Sequence, residues 1–98
     1  TVQVTAAGTG GRNQHFALEF ARQARDFPEF HLLSCGTDGK DGNTGAAGAV
    51  IQNRTHTEEL ISYLENFNSH NYFREHGGLV ITGHTGTNVM DIQILLLP

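Results

Sequence analysis

The stretch FHLLSCGTDGKDG, Phe30 to Gly42, joins an apolar run directly to a loop rich in glycine and aspartate. The run Phe30 to Cys35 predicts a short buried strand, because apolar segments bounded by turn residues are typical of sheet interiors. The segment Ser34 to Gly42 has three glycines and two aspartates in nine residues, a composition that no packed core requires. A strand that ends in such a loop is typical of the ligand-binding edge of an α/β sheet.

Length and composition indicate one small globular domain: 98 residues, 38% apolar, with a formal charge of −4. The negative charge argues against a nucleic-acid surface, and no apolar run approaches the roughly 20 residues of a membrane span. The single cysteine, Cys35, fits a reducing compartment, so we expect a cytoplasmic protein, with a mitochondrial location left open. Because the sequence opens on an apparent strand, we expect residues 1–98 to be one domain of a larger protein.

Periodicity predicts the element order β-α-β-β-α-α-β-β, an α/β fold with a mixed sheet and flanking helices. We expect strands at Thr1–Ala6, Phe30–Cys35, Ala46–Ile51, Leu79–Thr82 and Ile92–Leu97, and helices at 12–27, 60–67 and 70–76. The expected helix boundaries are Pro28, a capping box at Thr55, a cap at Ser69, and the stop Gly77-Gly78. The phenylalanines at 16, 20, 27 and 30 are predicted to be core residues and not a platform for stacking bases.

Three glycine-rich polar clusters each follow a predicted strand: GTGGRN, SCGTDGKDGNTG and TGHTGTN. Ligands of open α/β sheets bind beyond the carboxyl ends of strands. We therefore expect the three clusters to converge on one edge of the sheet and to form one site.

The first cluster is suited to an anion. Gly10 and Gly11 let the backbone approach a ligand at a helix start, where free N–H groups favour negative charge. Arg12 adds a planar fork that matches phosphate or carboxylate. A tight turn followed by a solvated arginine remains the alternative.

The second cluster places Asp38 and Asp41 three residues apart on glycine-permitted turns. Two loop carboxylates are suited to magnesium beside substrate phosphates, and one of them could instead act as a general base. An ordinary Asp-Gly turn pair is the alternative.

The third cluster carries neutral hydroxyl and amide groups at Thr82, Thr85, Thr87 and Asn88, which can orient a polar substrate or simply form turns. The six histidines lack the spacing of a zinc site, and only His84 lies in a glycine loop. Cys35 is expected to be a small buried residue and not a nucleophile.

Taken together, these motifs resemble the MOFRL domain, the C-terminal domain of class II glycerate 2-kinases, some of which are described as hydroxypyruvate reductases. The resemblance covers almost the whole chain. It rests on Gly10 to Gln14 with Phe16 to Leu18 behind them, on Leu32 to Ala49, and on Thr82 to Asp91.

The resemblance implies a two-domain enzyme, with an N-terminal α/β domain and an interdomain cleft. Such an enzyme transfers the γ-phosphoryl group of ATP to the 2-hydroxyl of D-glycerate or a similar hydroxy acid, with Mg²⁺, and this domain alone would be inactive. By motif, the catalytic residues would be Arg12 and Asp38, and the magnesium ligands Asp38 and Asp41. The residues that bind substrate or phosphate would be Gly10, Gly11, Asn13, Thr37, Thr85, Thr87 and Asn88.

The chain also departs from the family pattern. His15 replaces an acid, Asn43-Thr44-Gly45 replaces Pro-Thr-acid, and Phe67-Asn68-Ser69 replaces Asn-Asp-Ser. These changes keep open a non-catalytic binding module that retains the fold. A reductase is less favoured, because the strand–glycine–helix turn lacks the third glycine of a dinucleotide fingerprint.

Overall fold

A computed structural model describes residues 10–27, 29–52, 58–83, 85–86 and 90–97 of the chain. Its four strands are β1 (His31–Gly36), β2 (Gly48–Gln52), β3 (Leu79–Val80) and β4 (Asp91–Leu96). They form one sheet in the order β3-β2-β1-β4, and all three pairings are antiparallel. The central strand β1 therefore has β2 on one side and β4 on the other. The acidic loop, residues 37–47 with Asp38 and Asp41, connects β1 to β2.

Three helices accompany the sheet: α1 (Arg12–Gln23), α2 (Glu58–Glu65) and α3 (Ser69–His76). Helix α1 packs against β1, β2 and both other helices, so it lies at the centre of the core. The core consists of Ala17, Leu18, Ala21, Ala24, Phe30, Leu32, Ala49, Ile51, Leu60, Leu64, Tyr72 and Phe73. None of the helices in the described ranges is long and apolar enough to cross a bilayer.

Strand alternation divides the sheet into two faces. On the helix face, Leu32 pairs with Ile51 and Ser34 pairs with Ala49, and all four are buried. The opposite face carries the neighbours of these residues, among them Val50, which is 42% exposed. The helix face therefore holds the core, and Ser34 places a hydroxyl within it.

The predicted α/β class is confirmed: helices flank a sheet, and glycine-rich loops follow its strands. The order of the described elements also agrees with the prediction. The parallel pair that a mixed sheet requires is not found among the described strands. The strand expected at Thr1–Ala6, the stop at Pro28 and the capping box at Thr55 lie outside the described residues.

The prediction for the first helix was wrong at its end and for Phe16 and Phe27, whereas Phe20 packs against the core as predicted. Helix α1 ends at Gln23, because Ala24 turns away with φ −98° and ψ 17°. Phe16 and Phe27 are 44% and 49% exposed, while Phe30 is fully buried. Successive helical residues point about 100° apart, so a helix that buries Ala17 and Ala21 turns Phe16 towards the rim.

The third helix has the predicted end but a different start. Gly77 follows it with φ 87°, as expected of a glycine stop. The N-cap is Asn68, which makes no side-chain capping hydrogen bond, and Ser69 is the first helical residue. Ser69 therefore lies one position after the cap, inside the helix.

Candidate functional site

Helix α1 is capped by an aspartate from a distant part of the chain. Its N-cap is Gly11, which has no side chain to bind the free N–H groups of the first turn. The carboxylate of Asp41 accepts two of these N–H groups instead. Asn13 N donates to Oδ1 at 3.0 Å, and Gln14 N donates to Oδ2 at 2.8 Å. The acidic loop is thus fixed to the start of α1.

The side-chain amides of the same two residues complete the shell around Asp41. Asn13 Nδ2 donates to Oδ1 at 3.3 Å, and Gln14 Nε2 donates to Oδ2 at 3.0 Å. Asp41 is only 1% exposed. Because each carboxylate oxygen already accepts two N–H groups, the geometry gives Asp41 a structural role and leaves no lone pair directed to a metal.

Gln14 links this cap to two further segments. Its Nε2 donates to Thr44 Oγ1 at 3.0 Å, and its Oε1 lies 3.0 Å from His70 Nδ1 on α3. Thr44 Oγ1 in turn donates to the backbone oxygen of Asp41 at 2.7 Å. Burial lowers the pKa of His70, with Arg74 adding to the effect, which favours the neutral ring beside this amide.

Asn13 connects the cap to strands β1 and β4. Ser34 Oγ donates to Asn13 Oδ1 at 2.8 Å, and Asn13 Nδ2 also donates to Asp91 Oδ1 at 3.2 Å. The amide is therefore held on both sides, by β1 and by the first residue of β4. Asn13 thus bridges the acidic loop, β1 and β4.

Asp91 forms an ion pair with Arg12, whose Nε donates to Asp91 Oδ2. The hydrogen bond from Arg12, aided by Asn13, holds the pKa of Asp91 below its usual range, and Asp91 raises that of Arg12. The Arg12 side chain is 75% exposed, whereas that of Asp91 is 25% exposed. Asp91 thus orients a guanidinium that still faces solvent.

Asp38 and Asp91 approach each other over Gly36, the last residue of β1. A Cβ at Gly36 would lie 3.1 Å from Asp38 Oδ1 and 3.4 Å from Asp91 Oδ1. Asp38 Oδ1 accepts the backbone N–H of Lys40 at 3.0 Å, and no described residue donates a hydrogen bond to its Oδ2. The missing side chain of Gly36 leaves room for both carboxylates.

The second and third glycine clusters are in direct contact, as the sequence predicted. Thr85 Oγ1 donates to the backbone oxygen of Thr37 at 2.6 Å, and Met90 N donates to Thr37 Oγ1 at 3.1 Å. Gly39, with φ +84°, lies so close to Gly83 that a Cβ would overlap its carbonyl oxygen. Thr37 and Thr85 therefore hold the second and third clusters together through these hydrogen bonds.

The first cluster joins them through Gly11 and Gly42. A Cβ at Gly42 would lie 2.6 Å from the carbonyl oxygen of Gly10 and 2.8 Å from the Cα of Gly11. Only residues without a side chain can approach this closely. All three clusters thus meet at one end of the sheet.

A cavity of about 570 Å³ opens where the clusters meet. It is lined by Arg12, Asn13, Asp38, Lys40, Asp41, Gly42, Met90 and Asp91. Of the residues predicted from sequence, the structure brings Arg12, Asn13, Asp38 and Asp41 to this cavity. Gly10 and Gly11 line an adjoining cavity, and Thr87, Asn88 and His84 lie outside the described residues.

Asp91 and Lys40 are site residues that spacing alone did not single out. Asp91 closes the motif TGHTGTNVMD, and its position just before an apolar run was the available signal. The register pairs Asp91 with Gly36, directly beside the acidic loop. Within the part of the chain that the structure describes, no three His, Cys, Asp or Glu side chains form a metal-binding group.

Two of the departures noted in the sequence are in contact. The rings of His15 and Phe67 stack with centroids 5.0 Å apart and planes 13° apart. Phe67 has φ 50°, a left-handed conformation that is rare for a bulky residue. Cys35 is half-buried and not fully buried as predicted. Burial raises the pKa of its thiol, and Asp91 and Asp41 raise it further.

The loops of this antiparallel sheet gather an arginine, a lysine and three carboxylates around one cavity, and this cavity is the candidate site. Residues 1–91 match the MOFRL family, and the chain belongs to that family, as the resemblance predicted. It is homologous to the C-terminal part of glycerate kinases.

Three relatives illustrate the match. The glycerate 2-kinase of Picrophilus torridus is 38% identical over 96% of this chain, and the D-glycerate 2-kinase of Thermotoga maritima is 42% identical over 98%. The crystal structure of a glycerate kinase from Thermotoga maritima superposes over 100% of the chain with a TM-score of 0.93 and 41% identity. The chain spans only 23% to 25% of the length of these relatives.

Proposed function

We propose that this chain is the C-terminal domain of a glycerate 2-kinase, and that its parent protein uses ATP to phosphorylate D-glycerate, or a similar hydroxy acid, at the 2-hydroxyl. An N-terminal α/β domain of the same protein would form the other side of the site, and the domain alone would be inactive. Support comes from the names of the relatives and from a chain that spans about a quarter of their length.

The observation that carries the proposal is the composition of the charged cavity. Arg12 and Lys40 line it together with Asp38 and Asp91. Phosphoryl transfer asks a protein mainly for positioning and for neutralisation of phosphate charge. Cations beside an accessible carboxylate meet both needs.

In this proposal Arg12 contacts the transferred phosphoryl group or the substrate carboxylate through its planar fork. Asp91 is a positioning residue, since it binds Nε and leaves the terminal nitrogens of the guanidinium directed outward. Asn13 holds Asp91 at 3.2 Å and does not itself need to touch substrate.

Asp38 would lie beside the attacking hydroxyl. Its Oδ1 accepts the N–H of Lys40 at 3.0 Å, which fixes the carboxylate, and in this proposal Oδ2 would accept the proton of the 2-hydroxyl. The same group suits Mg²⁺, which commonly uses one or two protein carboxylates beside substrate phosphates. Asp38 would hold the ion, and when bound the ion would neutralise phosphate charge.

Thr87 and Asn88 would bind substrate from the third cluster, as the family resemblance implies. Thr37 and Thr85 would act indirectly by fixing that cluster against the acidic loop. The cytoplasmic location stays a prediction.

The test is a kinetic comparison in the full-length parent protein with ATP, Mg²⁺ and D-glycerate. Arg12→Ala should lower kcat/KM by at least about a hundredfold, the scale of a lost charge-stabilising donor. Arg25→Ala is the matched control, since Arg25 is exposed and does not line the cavity. Equal activity of the two variants would remove Arg12 from the site.

A further inference from the structure

A second cavity, of about 590 Å³, adjoins the charged one and shares Arg12 and Gly42 with it. Its volume lies within the range of about 300–1,000 Å³ that is typical of small-molecule pockets. In contrast to its neighbour, it is lined mainly by apolar surface, including the rings of His15, Phe16 and Phe67. The two cavities together form a charged compartment and an aromatic one, side by side.

The aromatic compartment is built around the stack of His15 on Phe67. The two planes are 13° apart, so the rings lie nearly parallel and a further flat ring could stack on an outer face of the pair. His15 Nδ1 has no hydrogen-bond partner among the described residues. The orientation of the ring is therefore set by its stacking contact with Phe67 and not by a hydrogen bond through Nδ1. Phe67 keeps its ring there in a left-handed backbone conformation, an outlier of the kind that clusters at ligand sites.

Apart from Arg12, which the two cavities share, the remaining wall carries no unpaired charge. Glu19 lies at the rim, but both of its carboxylate oxygens accept hydrogen bonds from Arg22, at 2.8 and 2.5 Å. Phe16 completes the wall and is 44% exposed, although a phenyl ring normally gains from burial. The compartment therefore favours a flat, neutral, aromatic group over a cation or a second anion.

We propose that this second cavity binds the nucleobase of the phosphoryl donor, with the base against the His15–Phe67 stack and the phosphates extending past Arg12 into the charged cavity. The proposal rests on the proposed function, because it places both ends of one nucleotide in the two adjoining cavities. Bases stack on aromatic side chains regardless of their hydrogen-bonding edges, so the contact supplies affinity more than selectivity among bases.

The test measures binding of three probes to the full-length parent protein: ATP, adenosine and inorganic tripolyphosphate, which has the phosphates but no base. In Phe67→Asn, the affinity for ATP and adenosine should fall about tenfold, the scale of one lost base–aromatic stack. Tripolyphosphate should bind as in the wild type. Asparagine adopts left-handed conformations readily, so this variant should fold.

Phe27→Ala is the matched control, because Phe27 is 49% exposed and lines neither cavity. Unchanged ATP affinity in Phe67→Asn, or an equal loss for ATP and tripolyphosphate, would overturn the proposal. Turnover separates the two hypotheses. If adenosine binding depends on Phe67 but wild-type protein does not phosphorylate glycerate, the nucleobase pocket stands and the kinase proposal fails. If glycerate is phosphorylated while Phe67→Asn binds ATP normally, the kinase proposal stands and the nucleobase pocket fails.

Discussion

The buried carboxylate of Asp41 binds Gln14 twice, accepting its backbone N–H at 2.8 Å and its side-chain amide at 3.0 Å. This pair joins the acidic loop to the first turn of α1 across 27 residues of sequence. Because Arg12 begins the same turn, the pair also sets where the arginine enters the cavity. Asp41, one of the two aspartates that the sequence predicted as magnesium ligands, is thus the residue that joins the acidic loop to helix α1.

Replacing Asp41 should therefore destabilise the protein more than it changes the chemistry. Asp41→Asn keeps the size of the side chain but sets an amide NH₂ against N–H donors of Asn13 and Gln14. We expect the free energy of unfolding to fall by about 2–4 kcal/mol, as for a buried charged hydrogen-bonding group that loses its partners. Urea denaturation of the parent protein measures this.

Asp38→Asn is the matched control for that experiment, because Asp38 lies on the same loop and receives only one hydrogen bond from a described residue. Its unfolding free energy should change by less than about 0.5 kcal/mol, while its activity is lost. A comparable loss of stability in both variants would contradict the separate roles of the two aspartates.

Glycine substitutions should distinguish the loop contacts from open turns. Gly39→Ala would place a methyl group on the carbonyl oxygen of Gly83 at φ +84°, which separates the second and third clusters. We expect a loss of more than about 2 kcal/mol in stability, along with lower activity. Gly45→Ala has no atom within 4 Å of the new methyl group and should be neutral or slightly stabilising. Thermal unfolding of the two variants in parallel measures this difference in stability. Equal melting temperatures would argue against close packing of these loops.

Asp91→Asn should weaken catalysis through Arg12. The asparagine loses the charge that binds Nε, but the pair is partly exposed, so stability should change by no more than about 1 kcal/mol. We expect kcat/KM to fall about tenfold or more, together with a shift of the Arg12 Nε–H resonance in NMR spectra. An unaltered Arg12 resonance with reduced activity would mean that Asp91 acts by another route.

The protein should become less stable as the pH falls through the ordinary histidine value of about 6.5. Burial lowers the pKa of His15 and of His70 in the folded state, although Glu19 and Asp41 oppose it in part. The unfolded chain therefore binds protons first, and stability that is present above pH 6.5 is lost as the pH falls towards the lower folded-state values.

Unfolding free energies measured between pH 7.5 and pH 5 should follow this slope in the wild type and show a smaller one in a His15→Gln/His70→Gln variant. An identical slope in the two proteins would assign the pH dependence to other groups. Asp91 contributes at more acidic pH, because its pKa is lowered and its stabilisation is lost only below the usual carboxylate range.

Local signals account for the part of the fold that the sequence predicted. Strand, loop and helix order follow from periodicity and from glycine, and the meeting of three glycine clusters follows from their shared place after strands. The same signals predicted that Arg12 and Asp38 belong to one site, and both line the same cavity. Each signal is carried by residues close together in sequence, although the clusters themselves meet through residues as far apart as Thr37 and Thr85.

Contacts between distant residues account for the part it missed. Arg12 and Asp91 are 79 residues apart, and Asp41 reaches Asn13 across 28. No local spacing records which donors will surround a carboxylate, so an Asp-Gly turn and a helix cap look alike. The exposure of Phe16 and the left-handed backbone of Phe67 depend in the same way on what packs against them.

The central claim is that Asp38 and Arg12 serve phosphoryl transfer to the 2-hydroxyl of glycerate. The most direct measurement is ³¹P NMR of the full-length parent protein with ATP, Mg²⁺ and D-glycerate, run in parallel for the wild type and Asp38→Asn. We predict 2-phosphoglycerate from the wild type and essentially none from the variant. Formation of 3-phosphoglycerate, no phosphorylated glycerate from the wild type, or equal rates from the two proteins would contradict the claim.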